Sequence, residues 1–179
     1  MSAPTPSTIP AWRIILLGRN PRFTLLRIFL LSLSSYFLFN FVLVPIRVTG
    51  TSMEPTYPNQ KVNFINRLSF RWSAPQRGDV VGVLEREIDK VPQGKKILLL
   101  KRVVGLPCET VRISAREGRI YLNGKLLAEP YTHSLIDLAP RAPREWHLAA
   151  NEYFIIGDNR PFSAFYTVTR QQILGKVLF

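Results

Sequence analysis

Residues 96–105 read Lys-Ile-Leu-Leu-Leu-Lys-Arg-Val-Val-Gly. This is a strongly apolar β-strand interrupted by Lys101-Arg102. Lysine is almost never fully buried without a reason. Either Lys101 sits on an edge strand and snorkels to water, or its ammonium is desolvated by neighbours such as Leu99, Leu100 and Val103. Desolvation disfavours the charged form and lowers the pKa. A neutral amine can then take a proton from a hydroxyl. Consecutive strand side chains point to opposite faces, so Arg102 faces away from Lys101.

The sequence around this strand continues the pattern of short apolar runs between turn signals. Asp79–Leu84 follows Arg77-Gly78, and Glu152–Ile156 runs into Gly157-Asp158-Asn159. Arg119–Leu122 and Lys125–Leu127 flank Asn123-Gly124, the signature of a type I′ hairpin. Residues 172–179 read as a last strand, and 130–147, rich in Pro, Arg and His, as a long loop. No helical apolar period and no internal repeat is sustained. The fold class is therefore mainly β, with 14 prolines and 10 glycines favouring strands and turns over a bundle.

The chain has 179 residues and a formal net charge of +12. One cysteine, Cys108, excludes an internal disulfide framework, a Cys-rich zinc site and a CxxC motif. Two histidines, His133 and His147, leave little room for a His-based metal site. A basic chain invites a nucleic-acid reading. The charge distribution argues against it. No Asp or Glu precedes Glu54, and Arg13, Arg19, Arg22, Arg27 and Arg47 are unbalanced.

Between Arg27 and Arg47 lies IFLLSLSSYFLFNFVLVPI, residues 28–46, without a charge. As a helix it would span roughly 28 Å, close to the hydrocarbon thickness of a bilayer. It ends in Val44-Pro45-Ile46-Arg47, a poor cleavage site, so it reads as an uncleaved anchor. Four arginines precede it, which predicts a cytoplasmic amino terminus. The organisation expected is a basic cytoplasmic tail over 1–24, a transmembrane helix over 25–46 and an extracytoplasmic β-rich domain over 47–179.

A few residues past the anchor comes Thr49-Gly50-Thr51-Ser52-Met53-Glu54-Pro55-Thr56. Gly50 permits unusual dihedrals and Pro55 stiffens the chain after Ser52. A serine on such a turn is a candidate nucleophile. His133 and His147 fall in the polar loop, so neither suits a Ser-His-Asp triad. A Ser-Lys dyad is the variant that the residues allow.

These segments, in this order, resemble a type I signal peptidase. Residues 49–56 resemble the family's nucleophile box, and Arg77-Gly78-Asp79-Val80-Val81 the box after it. Leu100–Pro107 resembles the box carrying the lysine base. Tyr121–Lys125 and Glu129-Pro130-Tyr131 resemble a hairpin segment. Gly157-Asp158-Asn159-Arg160, with Ser163 three residues later, resembles the last box. The resemblance implies an antiparallel β catalytic domain behind one transmembrane helix. It implies Ser52 as nucleophile, Lys101 as general base, Ser163 as the lysine-orienting hydroxyl and the Ser52 backbone N–H in the oxyanion hole. Arg102 and Asp158 would pair in support. Val48, Met53, Tyr57, Leu99 and Leu100 would line shallow pockets for small side chains. No metal or other cofactor is implied. The partners implied are signal peptides of exported preproteins and the lipid bilayer, with no nucleic acid. The location implied is the plasma membrane of a bacterium, or alternatively the mitochondrial inner membrane.

Three departures accompany the resemblance. Gly50 stands where some members place a serine hydroxyl. Cys108-Glu109 replaces a usual Gly-Asp. The last box normally continues Ser-x-Asp-Ser-Arg, but reads Ser163-Ala164-Phe165-Tyr166-Thr167 here. The missing Asp and Arg motivate a rival expectation, a catalytically impaired homologue acting as a membrane scaffold.

Overall fold

The computed structural model describes residues 20–85, 97–115, 117–132 and 143–178. The chain divides into two compact units, Met1–Phe41 and Val42–Phe179. In the first, helix α1 covers Pro21–Phe37. Pro21 at its start has the fixed φ and missing N–H that suit a first turn. A π-helical turn, Leu38–Val42, completes the run. Arg22–Val42 is 21 residues long with mean hydropathy 1.7, and none of it is buried in protein. Leu25, Phe29, Leu31 and Phe37 are all exposed. A helix this long with its apolar side chains exposed has the length and composition to cross a membrane. Asn40 weakens the run little, because its amide donates to the Tyr36 carbonyl at 2.8 Å.

The second unit is built from two antiparallel sheets. In chain order the strands are β1 Leu43–Arg47, β2 Val62–Asn66, β3 Val80–Glu85, β4 Ile97–Gly105, β5 Thr110–Ile113 and β6 Ile120–Leu122. They continue with β7 Lys125–Leu126, β8 Arg144–His147, β9 Glu152–Ile156, β10 Phe165–Thr169 and β11 Ile173–Leu178. The larger sheet has the order β1-β2-β11-β3-β4-β9-β10, and the smaller one β7-β6-β5-β8. This agrees with the mainly β, antiparallel expectation. The Asn123-Gly124 hairpin is present too: both residues have positive φ, 48° and 82°, and Leu122 pairs with Lys125.

The apolar anchor ends earlier than the charge pattern implies. The sequence carries the uncharged run to Ile46, whereas helical structure stops at Val42 and Leu43–Arg47 pairs with β2. Pro45 supplies the reason. Inside a helix it would remove a hydrogen bond and clash with the preceding turn. In β1, the outermost strand of its sheet, a missing N–H is tolerated.

The loop expected over 130–147 needs a second correction. Residues 133–142, His133 among them, lie outside the described residues, but Arg144–His147 is a strand paired with Thr110–Ile113. Trp146 drives this pairing. Its ring sits 5.2 Å from Phe154 and 5.1 Å from Phe165, in the core that joins the two sheets.

The placement of β4 matters most for function. It pairs with β3 along Ile97–Arg102, but with β9 only from Arg102 to Gly105. Along Ile97–Lys101 the other edge of β4 has no strand partner among the described residues.

Candidate active site

Ser52 occupies a turn between β1 and β2 that is braced at several points. The Glu54 N–H donates to the Thr51 carbonyl at 3.1 Å, and the Tyr57 N–H to the Met53 carbonyl at 2.9 Å. Gly50 has φ 102°, a left-handed value that favours glycine. Met53, 1% exposed, pins the turn into the apolar cluster beneath β1 and β2. From the far end of the chain, Asn159 holds it twice. Its backbone N–H donates to the Ser52 carbonyl at 3.1 Å, and its side-chain amide to the Thr51 carbonyl at 3.0 Å.

Lys101 reaches the same place from β4. Ser52 and Lys101 both line one cleft of about 340 Å³, with Val48, Met53, Leu99 and Leu100 on its walls. Tyr57 is not among the residues lining this cleft; it packs in the cluster with Met53 instead. Ile46 and Leu98 are cleft residues that the sequence pattern did not single out. Ile46 was hidden inside the apparent anchor, and only the strand-breaking-for-helix Pro45 signalled that it belongs to the body.

Lys101 is 5% exposed. Burial lowers its pKa to about 8, against a smaller opposing pull from the Asp158 carboxylate. Its ammonium donates to the Ser163 hydroxyl oxygen at 3.1 Å. That oxygen also accepts the Gly157 N–H at 2.7 Å, while the Ser163 hydroxyl donates to the Ala164 carbonyl at 2.9 Å. With its proton engaged elsewhere, the Ser163 oxygen faces Lys101 only as an acceptor. Gly157 must be glycine for this packing. A Cβ there would lie 2.1 Å from the Ser52 carbonyl oxygen and 2.6 Å from the Ser163 hydroxyl oxygen.

Behind the lysine, Arg102 and Asp158 form a bidentate pair, Nε–Oδ1 2.7 Å and Nη2–Oδ2 2.5 Å. Asp158 is fully buried and also accepts the Thr56 hydroxyl at 2.6 Å. Arg102 donates further to the Gly78 carbonyl at 2.7 Å and lies 4.2 Å over the Tyr131 ring. One ion pair thus ties the serine turn, β4 and the last box together. A second pair, Arg160 with Glu129, flanks it at 2.8 and 2.5 Å, and Arg160 Nε donates to the Gly157 carbonyl at 3.1 Å. Single residues such as Thr56 and Glu129 carried no sequence signal of these roles, because their partners lie about 30 to 100 positions away in the chain.

The departures also acquire geometry. Phe165, two residues after Ser163, stacks on Phe154 with ring centroids 5.7 Å apart, so an aromatic core contact stands there. Cys108 adopts φ 63° and keeps the turn that a glycine would make. Glu109 accepts the Leu106 N–H at 2.8 Å and pairs with Arg77 at 2.6 Å. Around the Gly50 Cβ position there is open space, with no atom within 4 Å.

A hydroxyl and a desolvated amine in one cleft, beside a strand edge unpaired among the described residues, is the equipment of a serine hydrolase that works through a lysine base. The signal peptidase, peptidase S26, family matches residues 22–179. Signal peptidase I V of Bacillus subtilis is 31% identical over 135 residues, covering 69% of this chain and 74% of that protein. Signal peptidase I S of the same organism is 30% identical over 158 residues, covering 78% and 77%. Signal peptidase IB of Staphylococcus aureus is 27% identical, covering 78% of each. The chain belongs to the peptidase S26 family of signal peptidases.

Proposed function

We propose that this membrane-anchored peptidase removes signal peptides from exported preproteins, with Ser52 as nucleophile and Lys101 as general base. Neutral Lys101 takes the Ser52 proton, and Ser52 attacks the carbonyl carbon of a small residue, whose bond to the next nitrogen then breaks. The Ser52 backbone N–H stabilises the oxyanion. The leaving amine takes the proton from Lys101, and water activated by Lys101 then hydrolyses the acyl-enzyme. With a pKa of about 8, roughly a tenth of the lysine is neutral at pH 7.

The edge of β4 over Ile97–Lys101, unpaired among the described residues, gives an extended substrate a strand to pair with. Val48, Met53, Leu99 and Leu100 then face alternate substrate side chains. The shallow apolar walls suit small residues, hence an Ala-x-Ala preference. Arg102 and Asp158 hold β4 against the serine turn. Four arginines before the uncharged run, Arg13, Arg19, Arg22 and Arg27, support a cytoplasmic amino terminus and a body beyond the plasma membrane.

The observation that carries this reading is the Lys101–Ser163 contact at the cleft containing Ser52. Purified full-length protein in detergent should cleave a preprotein with an Ala-x-Ala site. Ser52→Ala and Lys101→Ala should each abolish cleavage while circular dichroism stays unchanged. Cleavage persisting in either variant sinks the dyad. A folded wild type that cleaves nothing favours the scaffold reading.

A further inference from the structure

Besides Ser52 and Met53, the cleft is bounded by two runs of consecutive residues, Ile46 to Thr49 and Leu98 to Lys101. Consecutive residues line a wall where a strand presents its edge, because a strand's face shows only every second side chain. β1 is the outermost strand of its sheet, and β4 has no strand partner over Ile97–Lys101 on its other side among the described residues. An extended peptide lying along these edges turns its side chains alternately to the two faces of the sheet.

The two faces differ in chemistry. Ile46, Leu98 and Leu100 pack with Met53 and Ile65 in one apolar cluster, and Val48 is buried. This inner face suits the first and third residues before the cleaved bond, which share a face in an extended chain. Arg47 lies between Ile46 and Val48, is exposed, and belongs to the opposite face. Its cross-strand neighbour there is Val62, 56% exposed, an apolar bed for the arginine stem. No acidic side chain pairs with the Arg47 guanidinium among the described residues. β1 leads into the turn that carries Ser52. Stepping back from the bond cleaved there, the first substrate side chain on the outer face is that of the second residue. Arg47 is thus an unpaired cation on the cleft wall, on the face where that side chain emerges.

We propose that Arg47 is a specificity-determining residue, drawing an acidic side chain to the second position before the cleaved bond. This deepens the peptidase reading and rests on it for the place of that bond.

The test uses the full chain in an uncharged detergent without lipid. Three peptides, labelled at the end far from the site, carry Ala-Glu-Ala, Ala-Ala-Ala or Ala-Lys-Ala before the cleavage point. Their binding to the Ser52→Ala protein is read by fluorescence anisotropy. The glutamate peptide should bind about fivefold more tightly than the lysine peptide, the range of an exposed ion pair exchanged for a repulsion. High salt should erase the difference. Arg47→Gln added to Ser52→Ala should level the three peptides, and Arg47→Glu should reverse their order. Equal binding of the three, binding of none, or a glutamate preference that survives Arg47→Gln overturns the proposal. An arginine that serves only an anionic headgroup gives the first of these results. Cleavage of the Ala-Ala-Ala peptide by the wild type is measured separately. Its absence beside a charge preference in binding sinks the peptidase reading and leaves Arg47's role standing; cleavage without charge preference does the reverse.

Discussion

Lys101 Nζ donates to the Ser163 hydroxyl oxygen at 3.1 Å, and the proton of that hydroxyl is directed to the Ala164 carbonyl. Ser163 can therefore hold one N–H of the lysine in either protonation state without competing for its lone pair. Ser163→Ala should lower kcat about 10²-fold, the cost of a misplaced reacting group, with little change in KM. Steady-state kinetics on a preprotein reporter checks this. An equal fall in kcat with Ser163→Thr, which retains a hydroxyl, would point to a packing role instead.

Burying Lys101 costs stability, and the sign fixes when. Its folded pKa, about 8, lies below the ordinary 10.5. Between those values the unfolded chain binds more protons, so stability rises with pH; below about 8 the cost is constant at about 3 kcal/mol. Lys101→Met should abolish cleavage yet raise the unfolding free energy by about that amount at pH 7. The gain should shrink as pH climbs from 8 towards 10.5. Denaturant titrations of both proteins at several pH values measure it.

Arg102 and Asp158 have side chains 11% and 0% exposed. Asp158→Ala leaves a largely desolvated guanidinium without its carboxylate, at a cost of about 3–5 kcal/mol. Thermal unfolding should show a large fall in Tm. Activity should drop with it, since the same carboxylate holds the Thr56 hydroxyl and, through Arg102, β4.

Gly157→Ala places a methyl 2.1 Å from the Ser52 carbonyl oxygen, closer than any real contact. The serine turn and the Ser163 segment must then separate. Loss of most activity with the bulk of the fold retained is expected, read from cleavage rate and near-ultraviolet circular dichroism together.

How much of this the sequence reveals depends on the range of each interaction. Asn123-Gly124 specifies its hairpin locally, through two positive φ angles. Lys101 stands out because a charge in an apolar strand conflicts with its neighbours. Pro45 splits an apolar run that lacks any charge to mark its end, so the helix boundary is set by backbone chemistry that hydropathy does not see. Arg144–His147 has no alternation strong enough to announce a strand; Trp146 finds its place only against Phe154 and Phe165. The Arg160–Glu129 pair and the Thr56–Asp158 bond are tertiary, and nothing near either residue in the chain foreshadows them. Tyr57 follows the nucleophile box closely, yet packs beside Met53 and not on the cleft wall.

The central claim is that Lys101 works as a neutral base on Ser52, and the pH dependence of kcat/KM for the full-length protein tests it most directly. The account predicts a rate that climbs tenfold per pH unit in acid and levels off above an apparent pKa of about 8. A rate that is flat from pH 6 to pH 9, or a Lys101→Met variant that keeps the wild-type profile, would contradict it.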